Sequence, residues 1–331
     1  MQRRELYEFV IGDKTASRLL ALVALILACW LVFAHLKGNR AKQNFLFKGS
    51  VDLRHHIVSE GVPLGKRAVL MLGSSTVSGN NIPPATTIAD YYNLIVTAQK
   101  CYNLGLMEAN IVDSLILLHL AQQKVRPVMV VYGMNPSDFR PVPGGSLIWS
   151  HTDEVQSLLP SEIAADIERD RKVKRDFSLP LNRLFGMPPL LPIQSQIFAT
   201  QWRLRRALYG PLYDKAIDSL ELRDATVREV VQTGQRMMDL LGTMKRVAAQ
   251  TDSPFVAYFE PMQFRDDGTG PFADYKRALA DALARAGVPA LDFTHLLPED
   301  PSYFVDYLHL TPRGNRRIAQ ELAAALKDMV R

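Results

Sequence analysis

The order of apolar segments predicts an α/β fold, doubly wound about a mostly parallel five-stranded sheet. Three observations carry the prediction. Short continuous apolar runs recur along the chain, the length and character of strands buried on both faces. Stretches with helical spacing alternate with them. Small-residue turns follow the first three runs, where a strand would hand over to a helix.

The first run, 68–72, reads Ala-Val-Leu-Met-Leu and leads into a turn from Gly73 to Gly79, then a helix over about 87–98. A second strand is expected at 101–104, closed by Gly105 and followed by a helix at 109–123. The third, at 127–132, is rich in valine and stops at Gly133. Between 140 and 226 the alternation breaks, and the stretch reads as an insertion. It holds the basic cluster Arg169, Arg171, Lys172, Lys174 and Arg175 and the apolar loop from Met187 to Pro192, which could lie on a membrane, on a partner protein or in solvent. The alternation then resumes with a helix at 227–249, a strand at 255–259, a helix at 272–286 and a strand at 288–293. A last helix is expected at 312–329, with Thr311 as its cap and Pro312 at its first position.

The chain has 331 residues, enough for one large domain with an accessory piece, and its net charge is +5. Its basic residues are scattered among acidic ones, which argues against a nucleic acid partner. The two cysteines, Cys29 and Cys101, lie in unrelated segments and imply no disulfide framework. Leu19 to Ala34 carries no charge and reads as an uncleaved membrane anchor, extended by Leu36. No small-x-small cleavage site follows it, and a lipoprotein site ending at Cys29 fits poorly because the apolar run continues. The domain order expected is a cytoplasmic segment 1–18, a transmembrane anchor 19–36, a juxtamembrane connector 37–66 and a catalytic domain 67–331. Lys and Arg flank the anchor evenly, so the external, periplasmic placement of the catalytic domain follows from the signal-anchor reading and not from charge.

Residues able to carry chemistry sit at the expected strand ends. Gly73-Ser74-Ser75-Thr76-Val77-Ser78-Gly79 places Ser75 after the first strand, at the start of a helix. Such a turn also serves as a loop, a helix cap or a phosphate cradle. It lacks the Gly-Lys-Ser or Gly-Lys-Thr ending of a nucleotide-binding loop, and no cofactor is expected. Near the other terminus, Asp306 and His309 are three apart on a short loop. A serine hydroxyl needs a base within hydrogen-bond reach, and that imidazole needs an acceptor to fix its tautomer. The same pair also suits a solvated loop. A metal site is not expected, because no third ligand cluster has suitable spacing. Gly105 and Asn135, after the second and third strands, could offer a backbone amide and a side-chain amide to an oxyanion, or serve as a turn residue and a helix cap. Glu260 after the fourth strand could line a pocket or pair with an arginine. Asp292 after the fifth is expected to hold the following loop. His295 is an alternative base to His309, while His55, His56, His119 and His151 have no partner pattern.

Taken in order, Ser75, Gly105, Asn135 and the Asp306–His309 pair resemble the SGNH (GDSL-type) hydrolases, over residues 66–139 and 252–330. The resemblance implies a flavodoxin-like three-layer α/β/α sandwich, here preceded by one transmembrane helix. It implies Ser75 as nucleophile, His309 as general base, Asp306 as its partner, and the Ser75 amide, Gly105 and Asn135 as the oxyanion hole. The family's Gly-Asp-Ser stands here as Gly73-Ser74-Ser75. With the anchor, this looks similar to the membrane-tethered branch, such as the D-alanyl transfer protein of teichoic acid synthesis and periplasmic polysaccharide O-acetyltransferases. That branch implies acyl transfer to an envelope polymer beside a multispanning membrane O-acyltransferase. An esterase or lipase, and a catalytically weak scaffold for such an acyltransferase, are the alternatives.

Overall fold

The computed structural model describes residues 68–140, 156–169, 220–262 and 270–329, less 80, 81, 83, 84, 107, 108, 124, 299, 306, 307 and 328. The expected segments at 1–18, 19–36 and 37–66, most of the expected insertion, and Asp306 lie outside them. Among the described residues no helix is long and apolar enough to cross a membrane.

Five strands form one sheet: β1 (Ala68–Leu72), β2 (Lys100–Asn103), β3 (Met129–Met134), β4 (Phe255–Phe259) and β5 (Ala290–Asp292). Their order is β2-β1-β3-β4-β5 and every neighbouring pair is parallel. The helices between and after them include α1 (Ser75–Ser78), α2 (Ile88–Ile95), α3 (Ile111–Gln122), α4 (Leu220–Thr233), α5 (Gln235–Met238), α6 (Leu240–Ala249), α7 (Gly270–Ala286) and, after β5, α8 (Pro312–Leu326).

Alternate side chains of the strands feed two separate cores. Ala68, Leu70 and Leu72 of β1 join Val130, Tyr132 and Met134 of β3 on the face covered by α3, α4, α6 and α7. Val69 and Met71 join Val131, Val256 and Tyr258 on the face covered by α2 and α8. The period of two along β1, β3 and β4, all of whose residues are buried, is what a sheet covered on both faces requires. All five residues of β1 have no exposed surface, each worth roughly 1.5–3 kcal/mol where the side chain is large. Leu159, Ile163 and Ile167, from the stretch expected as an insertion, join the first core.

Two expected boundaries move for identifiable reasons. The helix expected over 227–249 starts earlier, at Leu220, and is interrupted at Gly234 and again at Asp239, giving α4, α5 and α6. A Cβ at Gly234 would lie 2.8 Å from the Phe139 carbonyl oxygen and 2.5 Å from that of Val230, so the chain bends where no side chain fits. The third strand was expected to stop at Gly133, whereas β3 runs through it to Met134 and delivers Asn135 directly at the strand's end.

Because all the strands run the same way, their carboxyl ends line one edge of the sheet. The register sets Leu72 beside Tyr132, Met71 beside Asn103, Met134 beside Phe259 and Phe259 beside Asp292. Ser75, Asn103, Asn135 and Glu260 therefore follow at, or end, adjacent strands, the place where open α/β sheets gather their ligands.

Candidate active site

Ser75 is the first residue of the short helix α1, directly after β1, and its side chain is half-buried. Its Oγ lies 2.8 Å from His309 Nε2, a residue 234 positions away. As the first helical residue, Ser75 has no helical acceptor for its own N–H.

His309 is delivered by a hairpin in front of α8. Phe304 and Leu310 form an antiparallel bridge, and Val305 N–H donates to the His309 carbonyl at 2.7 Å. Thr311 N–H donates to the Tyr303 carbonyl at 2.9 Å, and the Thr311 hydroxyl to the Ser302 carbonyl at 2.7 Å. The same threonine caps α8 by accepting from Gly314 N–H, with Pro312 at the first position. Arg313 lies 4.3 Å over the Tyr303 ring and donates to the Ser302 hydroxyl at 2.7 Å. Backbone bonds on both sides of the imidazole thus fix its approach to Ser75. Asp306 falls within this hairpin in sequence, in the part that is not described.

Asn135 caps the 3-10 turn Pro136–Phe139, its Oδ1 accepting from Ser137 N–H at 3.0 Å. With the oxygen held by the cap, the amide nitrogen faces inward. Nδ2 donates to Ser74 Oγ at 2.7 Å and to Glu260 Oε2 at 3.2 Å. The cap and the inward amide are two ends of one group, so the two roles expected for Asn135 are compatible.

Gly105 does not present its amide to the site as expected. Its N–H donates to Asn103 Oδ1 at 2.9 Å, and Asn103 Nδ2 in turn donates to the Val77 carbonyl of α1 at 2.8 Å. A Cβ at Gly105 would lie 2.4 Å from Ser78 N, so glycine is required for the loop to pass beneath α1. Asn103 was not singled out in the sequence, because its part is to brace two backbone segments.

Glu260 is 4 % exposed and takes two donors, Thr76 Oγ1 at 2.7 Å and Asn135 Nδ2 at 3.2 Å. Its partners are these and not an arginine. Asp138, wholly buried nearby, accepts from Asn135 N–H at 3.1 Å and has the Ser74 and Tyr132 hydroxyls beside it. Burial pushes both acids up, with mutual repulsion adding to it for Asp138: Glu260 to about 7, against the pull of Thr76, Asn135 and His309, and Asp138 well above the usual carboxylate range. The pair titrates as a unit and carries less than its full charge near neutrality. Asp138 could have been found from the sequence, since Asn135-Pro136-Ser137-Asp138 has the spacing of a reciprocal cap, which the structure contains.

Asp292 holds the loop after β5, accepting from Thr294 N–H at 3.0 Å and pairing with Lys276 Nζ at 3.2 Å. His295 is exposed in that loop. Among the described residues no three ligating side chains are grouped to hold a metal ion.

No family model matches the sequence, and no curated protein does. By fold, the chain is similar to a lipolytic protein of the G-D-S-L family from Veillonella parvula, at 9% identity and a TM-score of 0.42, covering 79% of this chain and 98% of that one. It is similar to a lipase/acylhydrolase from Enterococcus faecalis at 12% identity and a TM-score of 0.40, covering 80% and 96%. It is also similar to the inhibitor-bound aryl esterase of M. smegmatis at 11% identity and a TM-score of 0.42, covering 79% and 99%.

Proposed function

We propose that this chain is a serine acyl-transfer enzyme of the SGNH type, working through an ester on Ser75. The observation that carries the reading is the 2.8 Å contact between Ser75 Oγ and His309 Nε2. A hydroxyl and an imidazole at that distance are a nucleophile and its base in reach of one another.

His309 Nε2 takes the hydroxyl proton as Ser75 Oγ bonds to an ester or thioester carbonyl carbon. The oxyanion so formed collapses, the bond to the leaving oxygen or sulfur breaks, and the imidazolium returns the proton to the leaving group. In the second half an acceptor hydroxyl, from water or an alcohol, loses its proton to His309 and attacks the acyl carbon; the bond to Ser75 Oγ breaks and the imidazolium returns the proton to that oxygen. Two donors suit the oxyanion, the Ser75 N–H and Asn135 Nδ2. An oxyanion is a stronger acceptor than a hydroxyl, so the Asn135 hydrogen now on Ser74 is the one it would take. Asp306 is the proposed orienting partner of His309.

The acceptor we propose is a hydroxyl of a cell-envelope polymer, a polysaccharide or teichoic-acid-like chain, with a multispanning membrane O-acyltransferase supplying the acyl group. The apolar run from Leu19 to Ala34 supports this, since a single anchor in the cytoplasmic membrane with the catalytic domain outside concentrates the serine beside a membrane-bound donor. Ester hydrolysis uses the same acyl-serine with water as acceptor, and the Ser75–His309 pair supports it equally.

The test is inactivation of the purified full-length chain by a fluorophosphonate, together with turnover of an aryl acetate. Covalent labelling at Ser75 is expected, abolished in Ser75→Ala and slowed by at least about a hundredfold in His309→Ala. Turnover accelerated by an added sugar alcohol favours transfer, and turnover indifferent to it favours hydrolysis. Equal labelling of wild type and Ser75→Ala would sink the reading.

A further inference from the structure

Resting on the acyl-serine reading, we propose that Glu260 is a positioning residue whose buried carboxyl fixes the Asn135 amide and the first turn of the nucleophile's helix in a single geometry. The carboxyl bridges two elements that meet nowhere in sequence. Thr76, the neighbour of Ser75, donates to one oxygen at 2.7 Å across 184 positions, and Asn135 donates to the other at 3.2 Å across 125. One planar group thus ties the end of β4 to the end of β3 and to α1.

The room for this acid is built into the sheet. A Cβ at Gly133 would fall 2.6 Å from Glu260 Oε1 and 2.6 Å from the Tyr258 hydroxyl, so the glycine inside β3 is the space the carboxyl occupies. Glycine in a strand interior carries an entropic cost and commonly marks the close approach of another group. Burying a carboxyl is also unfavourable unless its oxygens are satisfied, and here both are. The group's ionisation responds to His309, which places it within electrostatic reach of the base.

The bond to Asn135 has a direct consequence for the chemistry. Nδ2 has two hydrogens, one directed at Ser74 Oγ and one at Glu260 Oε2. The first can pass to a developing oxyanion while the second keeps the amide from turning. Removing the carboxyl leaves the amide anchored by its cap alone, and the donor loses its aim when charge develops. Such a loss belongs to the transition state and falls on kcat more than on KM.

The experiment compares aryl acetate turnover and the rate of Ser75 phosphonylation in the full-length chain for wild type, Glu260→Ala, Glu260→Gln and Thr76→Val. Glu260→Ala is expected to lower kcat about tenfold to a hundredfold with KM within about twofold. Glu260→Gln keeps an acceptor toward Asn135 and a partner for Thr76, and is expected to restore kcat to within about threefold of wild type. Thr76→Val, which removes one of the two bonds without changing shape, is expected to lower kcat by less than Glu260→Ala and covers the case in which the alanine variant fails to fold. Wild-type kcat in both Glu260→Ala and Thr76→Val, a change confined to KM, or a glutamine no better than alanine would overturn the proposal. If wild type is labelled at Ser75 and these variants are labelled as fast, the positioning role alone fails. If wild type is not labelled at all, the acyl-serine reading fails with it.

Discussion

At the scale of single residues, what each group does here is decided by where its second partner lies. Ser75 and His309 could be proposed from the sequence because few residue types act as nucleophile and base: Ser75 follows the first expected strand, and His309 stands three after Asp306 on the loop before the terminal helix. Glu260 could be noticed but not assigned, since its two partners lie 184 and 125 positions away. Gly105 shows the opposite error: its place after a strand suggested a donor, while its amide is taken by Asn103 two residues earlier. Gly133 reads in sequence as the end of a strand and is in fact the space for a carboxyl. Replacing it is therefore expected to be costly. Gly133→Ala should destabilise the protein by about 1–3 kcal/mol through overpacking against Glu260 and Tyr258. A lowered thermal midpoint checks this, and an unchanged one would mean that the carboxyl has other room.

At the scale of elements, the strands were more legible than the helices' interruptions. An uninterrupted apolar run such as Ala68–Leu72 leaves little choice, because a segment buried on both faces has no polar side to display. The terminal helix was legible for a different reason: Thr311 and Pro312 mark its start chemically, and Ile318, Ala319, Leu322, Ala323 and Leu326 mark its buried stripe. The break at Gly234 was not legible, as it depends on the nearness of the Phe139 carbonyl, a tertiary contact. The hairpin carrying His309 was equally hidden. It is held by backbone bonds and by Arg313 against Tyr303 and Ser302, none of which depends on a recognisable local pattern.

At the scale of the whole molecule, the parallel sheet does the assembling: it brings positions 75 and 309 into contact and collects a buried acid pair beneath them. That pair gives the fold a definite pH dependence. Glu260 ionises near its ordinary value of 4.5 when unfolded and at about 7 when folded. Between those values the folded state holds a proton the unfolded state has lost, so this contribution is present at low pH and is lost as pH rises through the window. The groups facing Glu260 are Asp138, His309, Tyr132, Tyr258 and Tyr275, and Asp138, pushed up as well, adds with the same sign. The loss belongs to the Glu260–Asp138 pair together, and its direction follows from burial raising both carboxyls. Thermal midpoints of wild type should therefore fall from about pH 5 to about pH 8 more steeply than those of Glu260→Gln. Parallel slopes would show that the carboxyl titrates as an ordinary exposed one.

The central claim is that an acyl group passes through Ser75, and direct trapping of that ester tests it. The full-length chain is mixed with an activated acetyl ester, quenched in acid during turnover, digested and mapped by tandem mass spectrometry. The account predicts acetyl on the peptide containing Ser75, rising and decaying at the rate of turnover and absent in Ser75→Ala. Unimpaired turnover by Ser75→Ala, or acetyl carried by a different residue at the kinetically required rate, would contradict it.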